Sequence, residues 1–196
     1  MASTTDEWPG RWSGLTVACI ASGQSLILED CESIRAAGLR TIVTNTTFRL
    51  CSWADVLFAF DTRWWQHYRA EVESFAGLRF GYARGCTSYG AQAALDGVPW
   101  FRHFHNSGAS SISIAIAAGA ARIILLGFDC QTGPKGQTHW HGDHPKSLGN
   151  ARSISNWPTQ FRNAARFSGE RGVDVVNCSR TTALQCFRRS TMEAEL

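Results

Sequence analysis

The chain has 196 residues, 44% of them hydrophobic and 18% charged, with a net charge of +3 at pH 7. This composition is typical of a globular protein and argues against a disordered chain. The basic residues are scattered, so charge alone does not indicate nucleic acid as a partner. No apolar run reaches the ~18 residues that indicate a membrane span, and residues 1–10 are too polar for a signal peptide. We therefore expect a cytoplasmic protein.

Strand-like and helix-like segments alternate along the chain. Strands are predicted at residues 15–20, 40–44, 56–60, 78–80, 123–126 and 173–176, and helices at 26–37, from 62, from 107 and at 156–168. Residues 81–105 and 130–155 have no clear period and are expected to be loops. Such alternation predicts a single α/β domain with a Rossmann-like, doubly wound, mostly parallel sheet and helices on both faces. We place this nucleotide-binding domain at residues 14–187, between an N-terminal tail (1–13) and a C-terminal tail (188–196).

The segment 106–129 has the clearest pattern. It combines a helix that begins at Ser107-Gly108 with a continuously apolar strand, 123–126, that ends at Gly127-Phe128-Asp129. An unbroken apolar run is typical of a parallel strand that is covered on both faces. A helix N-terminus that presents serine and glycine amides is a ready site for an anion. The segment therefore indicates both a fold class and a phosphate site.

Polar residues follow the predicted strands directly. Ser22-Gly23, Asn45, Asp61 and Asp129 each come after a strand. Because ligands of open α/β sheets bind outside the carboxyl ends of the strands, these residues should line one rim together with the start of the helix at Ser107. The sequence thus predicts a nucleotide site made by Ser22, Gly23, Asn45, Ser107, Gly108 and Asp129.

Taken in order, these motifs resemble the small bacterial sialyltransferases that use CMP-sialic acid and the related motility-accessory-factor glycosyltransferases. The resemblance covers most of residues 15–184 and rests on the segments 21–26, 45–48, 107–129 and 139–144. The chain departs from the sialyltransferases at Ser22 and Gln24, where they have Asn and Pro, and it lacks evident matches to the tyrosines that hold the donor phosphate there. A compact chain of this kind could belong to a bacteriophage or prophage.

The resemblance implies inverting transfer of a glycosyl group from a nucleotide-sugar donor to a hydroxyl-bearing acceptor, with no metal or other cofactor. It implies that His144 removes the acceptor proton, with His141 as the second candidate for this role. A neutral histidine suits the task because its ordinary pKa is ~6.5. Asp143 or Asp129 could orient the imidazole. Trp140, inside the histidine segment, is the predicted substrate contact.

The histidine segment also supports other hypotheses. His139, His141, Asp143 and His144 have the His-x-His-x-Asp-His spacing of metallo-β-lactamase-type hydrolases, in which such residues hold zinc. Those hydrolases need further ligands downstream, whereas this chain has no histidine after His144. A lone zinc site and a purely structural loop are the remaining interpretations of the segment. A third class of protein, a catalytically idle nucleotide- or partner-binding module on the same scaffold, also stays open.

Overall fold

The computed structural model describes residues 5–151 and 153–196. In these residues eight strands form one sheet in the order β5-β4-β3-β2-β1-β6-β7-β8, with every neighbouring pair parallel. The strands are β1 (Thr16–Ile20), β2 (Arg40–Thr44), β3 (Val56–Ala59), β4 (Leu78–Gly81), β5 (Ala93–Ala94), β6 (Arg122–Leu126), β7 (Asp174–Asn177) and β8 (Arg188–Arg189). The sheet grows outward from β1 on one side and from β6 on the other. The predicted Rossmann-like α/β fold is confirmed, with its topological switch point between β1 and β6.

Helices cover both faces of the sheet. They are α1 (Leu28–Ala36), α2 (Thr62–Val72), α3 (Ser107–Ala117), α4 (Trp157–Glu170) and α5 (Met192–Glu195), with short 3-10 helices at Asn45–Arg49, Arg84–Tyr89 and Ile154–Asn156. Residues of α3 and α4 belong to the apolar core on one face, and residues of α1, α2 and α5 belong to the core on the other. The serines and alanines of α3 are small enough to let this helix lie almost entirely buried. Among the described residues, none of the helices has the length and apolar character needed to cross a membrane.

The segment expected to be an N-terminal tail packs into the domain. Trp8 is fully buried against Trp12, with 4.8 Å between their ring centroids, and its Nε1 donates to the carbonyl oxygen of Ile114. Backbone N–H groups of this segment also donate to carbonyl oxygens at the last residue of α3 and the two residues after it, which have no partner within the helix. These bonds run from Gly10 to Ala117, from Trp12 to Ala118 and from Gly14 to Gly119, at 2.6 to 2.9 Å.

The segment 188–196, expected to be a C-terminal tail, also belongs to the fold. Its first two residues form β8, which pairs with β7, and the side chain of Met192 is buried. Arg188 forms ion pairs with Glu195 at 2.7 Å and with Asp174 at 3.3 Å. A two-residue strand made of arginines has neither alternation nor an apolar run, so no pattern in the sequence marks it as a strand.

Candidate functional site

A cleft of about 660 Å³ opens at the carboxyl ends of β1, β2, β3 and β6. It lies beside the switch point of the sheet, where folds of this class bind their ligands. Its volume is within the usual range for small-molecule sites. All six residues predicted to bind a nucleotide line this cleft: Ser22, Gly23, Asn45, Ser107, Gly108 and Asp129.

Two glycines allow the loops after β1 and β6 to touch at the base of the cleft. The N–H of Gly23 donates to the carbonyl oxygen of Gly127 at 2.8 Å. Gly127 has φ +69, and a Cβ there would collide with the carbonyl oxygen of Ala21. A Cβ at Gly23 would collide with the carboxylate of Asp129. This close approach of two backbones therefore depends on the absence of both side chains.

Asn45 and Ser107 connect the strand ends to the first turn of α3. The hydroxyl of Ser107 donates to Oδ1 of Asn45 at 3.2 Å and accepts from the N–H of Phe60 at 3.2 Å. Asn45 has φ 51, a left-handed conformation that asparagine adopts more readily than most residues. These contacts fix the start of α3 against the ends of β2 and β3.

The first turn of α3 offers backbone donors to the cleft. Asn106 caps the helix, since its Oδ1 accepts from the N–H of Ala109 at 3.1 Å. The N–H groups of Ser107 and Gly108, which come before Ala109, have no acceptor within an α-helix. Both residues line the cleft, so these groups and the positive end of the helix can hold an anion there.

The side chains of two of the predicted residues form hydrogen bonds with other groups of the protein. The hydroxyl of Ser22 lies 2.8 Å from the hydroxyl of Thr47. Asp129 is 1% exposed and accepts hydrogen bonds from the N–H and the hydroxyl of Ser25. Burial raises the pKa of Asp129, and the hydrogen bonds from Ser25 oppose this shift. Both side chains therefore hold the loops that form the cleft.

Several lining residues were not assigned by the sequence analysis. Asp61 was placed on the rim but not in the site; its side chain makes no capping bond to α2, and burial raises its pKa. The other unassigned side chains include the aromatic rings of Phe60, Trp64, Phe128, Trp157 and Phe161. The position of Asp61 after β3 was a usable signal. Trp157 and Phe161 had none, because an amphipathic helix such as α4 indicates a core face without showing where that face meets a cleft.

Three histidines lie together at the side of the cleft. Ligand nitrogens of His139, His141 and His144 all lie within 4.8 Å of one another. His139 and His144 line the cleft, whereas His141 does not. Nδ1 of His139 is 2.8 Å from the hydroxyl of Thr138, and Nδ1 of His144 is 3.2 Å from the hydroxyl of Tyr68. The predicted candidates for the base, His144 and His141, are thus in one group, but only His144 reaches the cleft.

Burial keeps these imidazoles uncharged. It lowers the pKa of His139 to about 4 and that of His141 to about 3, with repulsion from His144 adding to both shifts. Burial also lowers the pKa of His144, and repulsion from the guanidinium of Arg49 adds to this shift. All three rings are therefore neutral at neutral pH.

Asp143 and Trp140 lie differently from what the sequence analysis expected. The side chain of Asp143 is exposed and is not part of the three-histidine group. Nδ1 of His144 lies 3.2 Å from the hydroxyl of Tyr68, and Asp129, the other predicted orienting residue, accepts from Ser25. Trp140 does not line the cleft; its ring packs against the core on the α1 and α2 face.

The comparisons with known proteins give weak similarities that carry no argument about the fold or the activity. No family model and no curated protein matches the chain. Among solved structures it is similar to a nucleoside-diphosphate-sugar epimerase from Pseudomonas aeruginosa, with 17% identity, a TM-score of 0.27, and coverage of 84% of this chain and 51% of that one. It is also similar to a short-chain dehydrogenase/reductase from Serratia marcescens, with 15% identity, a TM-score of 0.26, and coverage of 85% and 74%. The chain thus spans about half the length of the epimerase. A likeness at this level does not bear on activity, and the resemblance to sialyltransferases stays a prediction.

Proposed function

We propose that the protein transfers a glycosyl group from a nucleotide-sugar donor to a hydroxyl acceptor. The observation that carries this proposal is the make-up of the cleft at the switch point. The same cleft is lined by the open first turn of α3, which suits a phosphate, and by two neutral histidines, which suit a hydroxyl that must lose its proton.

The donor would bind with its phosphate at the N–H groups of Ser107 and Gly108. The side-chain amide of Asn45 lies beside this turn, because its oxygen accepts from the hydroxyl of Ser107. The aromatic side chains that line the cleft supply apolar surface for the base or the sugar. This arrangement recognises a nucleotide mainly through backbone donors and flat apolar surfaces.

In the transfer, the bond between the anomeric carbon and the donor phosphate oxygen breaks, and its electron pair stays on the nucleotide. The acceptor oxygen forms the new bond to that carbon and gives up its proton. Negative charge grows on the departing phosphate, so donors fixed at the start of α3 stabilise it most in the transition state. The sequence-based hypothesis assigns the acceptor proton to His144 without a metal, and the position of His144 in the cleft supports this location for the step.

Calorimetric titration of the purified protein with CMP, UMP, GMP, ADP and their sugar conjugates tests the proposal. We expect one nucleotide series to bind with a dissociation constant in the micromolar range, and its sugar conjugate to release the nucleotide only when an acceptor is present. Binding without release for any acceptor would favour the idle binding module. Absence of binding by every nucleotide, in a folded sample, would contradict the proposal.

A further inference from the structure

We propose that His139, His141 and His144 bind a divalent metal ion, zinc by the chemistry of the ligands. The inference rests on the proposed function for its substrate and changes only the group that activates the acceptor. A metal held by these rings would activate the acceptor hydroxyl in place of a free imidazole.

Each of the three rings keeps one nitrogen for a metal. The Nδ1 atoms of His139 and His144 are taken by the hydroxyls of Thr138 and Tyr68, which leaves their Nε2 atoms. The Nε2 atom of His141 is buried and has no hydrogen-bond partner among the described residues. Histidines that bind metals usually use one ring nitrogen and hold the other by a hydrogen bond, as His139 and His144 do here. A buried ring nitrogen without a partner is costly unless a ligand satisfies it.

Spacing and charge also fit a cation. One ring nitrogen of each histidine lies within 4.8 Å of those of the other two, so modest side-chain movement would bring all three nitrogens to the ~2.0–2.1 Å from one zinc ion that zinc–nitrogen bonds require. The nearby cation Arg49 is paired in a bidentate contact with Glu71, at 2.8 Å for both hydrogen bonds, which offsets its repulsion.

The fourth ligand position would face the cleft. His139 and His144 line the cleft, while His141 lies outside its lining. Three protein ligands with one open position form the usual arrangement of catalytic zinc, in contrast to the closed four-ligand sites that serve structure. Asp143, the fourth ligand in the hydrolase hypothesis, is exposed and outside the group.

The chemistry at such a centre would serve the transfer described above. Imidazole ligands suit zinc, copper, iron and nickel, and zinc needs no redox partner. A coordinated hydroxyl has a lower pKa than a free one, so the acceptor would ionise with its proton passing to solvent water. The acceptor oxygen then attacks the anomeric carbon as before, and the nucleotide leaves with the bonding electrons.

Metal analysis of tag-free protein tests the inference without any activity assay. After incubation with equimolar zinc and gel filtration, we expect about one zinc ion per chain in the wild type. The variants His139→Ala, His141→Ala and His144→Ala should each lose most of this zinc, because each removes a ligand. His103→Ala is the matched control: its Nδ1 is also buried without a partner among the described residues, but it lies outside the cluster. This variant should keep its zinc.

Wild-type protein without zinc, or equal zinc in all four variants, would overturn the inference. Thermal melts of each variant check that it is folded, and His141→Gln provides a second variant of similar size. Calorimetry with CMP, UMP, GMP and ADP on protein treated with EDTA separates the two proposals. If a nucleotide binds but the wild-type protein takes up no zinc, only the proposed metal centre is contradicted. If the wild-type protein takes up zinc but binds no nucleotide, the proposed function is contradicted and the metal centre stands.

Discussion

The carboxylate of Asp129 accepts two hydrogen bonds from Ser25, one from its N–H at 2.7 Å and one from its hydroxyl at 2.8 Å. Ser25 lies in the loop after β1 and Asp129 in the loop after β6. The pair therefore connects the two loops that flank the switch point of the sheet. This contact gives the carboxylate a structural role at the base of the cleft.

Asp129→Ala should destabilise the domain. It removes the acceptor of both bonds and leaves the N–H of Ser25 without its partner, which costs about 2–3 kcal/mol in the free energy of unfolding. Ser25→Ala removes only the hydroxyl and should cost about 1 kcal/mol. Urea unfolding of the two variants measures both values. Equal effects would show that the bond to the backbone N–H contributes nothing.

The same carboxyl predicts a pH dependence. Burial raises the pKa of Asp129 in the folded protein above its ordinary value. The folded state then binds the proton more tightly than the unfolded state, so the stability that this group contributes falls as pH rises through the interval between the two pKa values. In Asp129→Asn this titration is absent. The wild type should therefore lose stability relative to Asp129→Asn as pH rises from about 4. A relative gain over this range would contradict the direction of the shift.

Gly127→Ala should cost more than a glycine substitution at an unobstructed position. Gly127 and Gly136 both have positive φ, +69 and +79, but only at Gly127 would a Cβ meet another atom, the carbonyl oxygen of Ala21. Gly136→Ala should cost about 1–2 kcal/mol from the left-handed conformation alone. Gly127→Ala adds the collision and should lower the melting temperature further. Equal melting temperatures would show that the loops after β1 and β6 can separate freely.

Asn45→Asp should weaken nucleotide binding through charge. Aspartate keeps the oxygen that accepts from Ser107 and tolerates the left-handed backbone, but it adds a negative charge beside the proposed phosphate site. We expect about a tenfold loss of affinity for a nucleotide by calorimetry, equivalent to ~1.4 kcal/mol. Asn163→Asp, on the exposed face of α4, changes the net charge equally and should bind as the wild type does. Equal weakening by both variants would indicate a general charge effect.

The rim of the cleft could be predicted from the sequence because local patterns mark strand ends. Ser22, Asn45 and Asp129 come within three residues of the ends of β1, β2 and β6, and a parallel sheet brings such positions to one edge. The packing of residues 8–14 against the domain was not predicted, for a related reason. Trp8 and Trp12 lie in an irregular segment, so no period showed that they are buried.

The histidine group was harder to predict. The spacing from His139 to His144 was visible, but in an irregular loop spacing does not fix side-chain directions. The sequence therefore could not show that the three histidines converge while Asp143 faces solvent. The partner of His144 could not be predicted either, because Tyr68 lies 76 residues earlier in the chain, on α2.

Tyr68→Phe tests whether this distant hydroxyl orients His144. The variant removes only the oxygen that lies 3.2 Å from Nδ1 of His144 and keeps the buried ring. Loss of a hydrogen bond that holds a metal-binding histidine lowers metal affinity, by about tenfold or more. We expect that loss in a zinc competition titration against a chelator, with an unchanged melting temperature in the absence of metal. Tyr89→Phe, which removes a tyrosine hydroxyl elsewhere in the fold, should keep wild-type affinity. If Tyr68→Phe binds zinc as tightly as the wild type, the ring of His144 is held by the packing around it and Tyr68 is not a positioning residue.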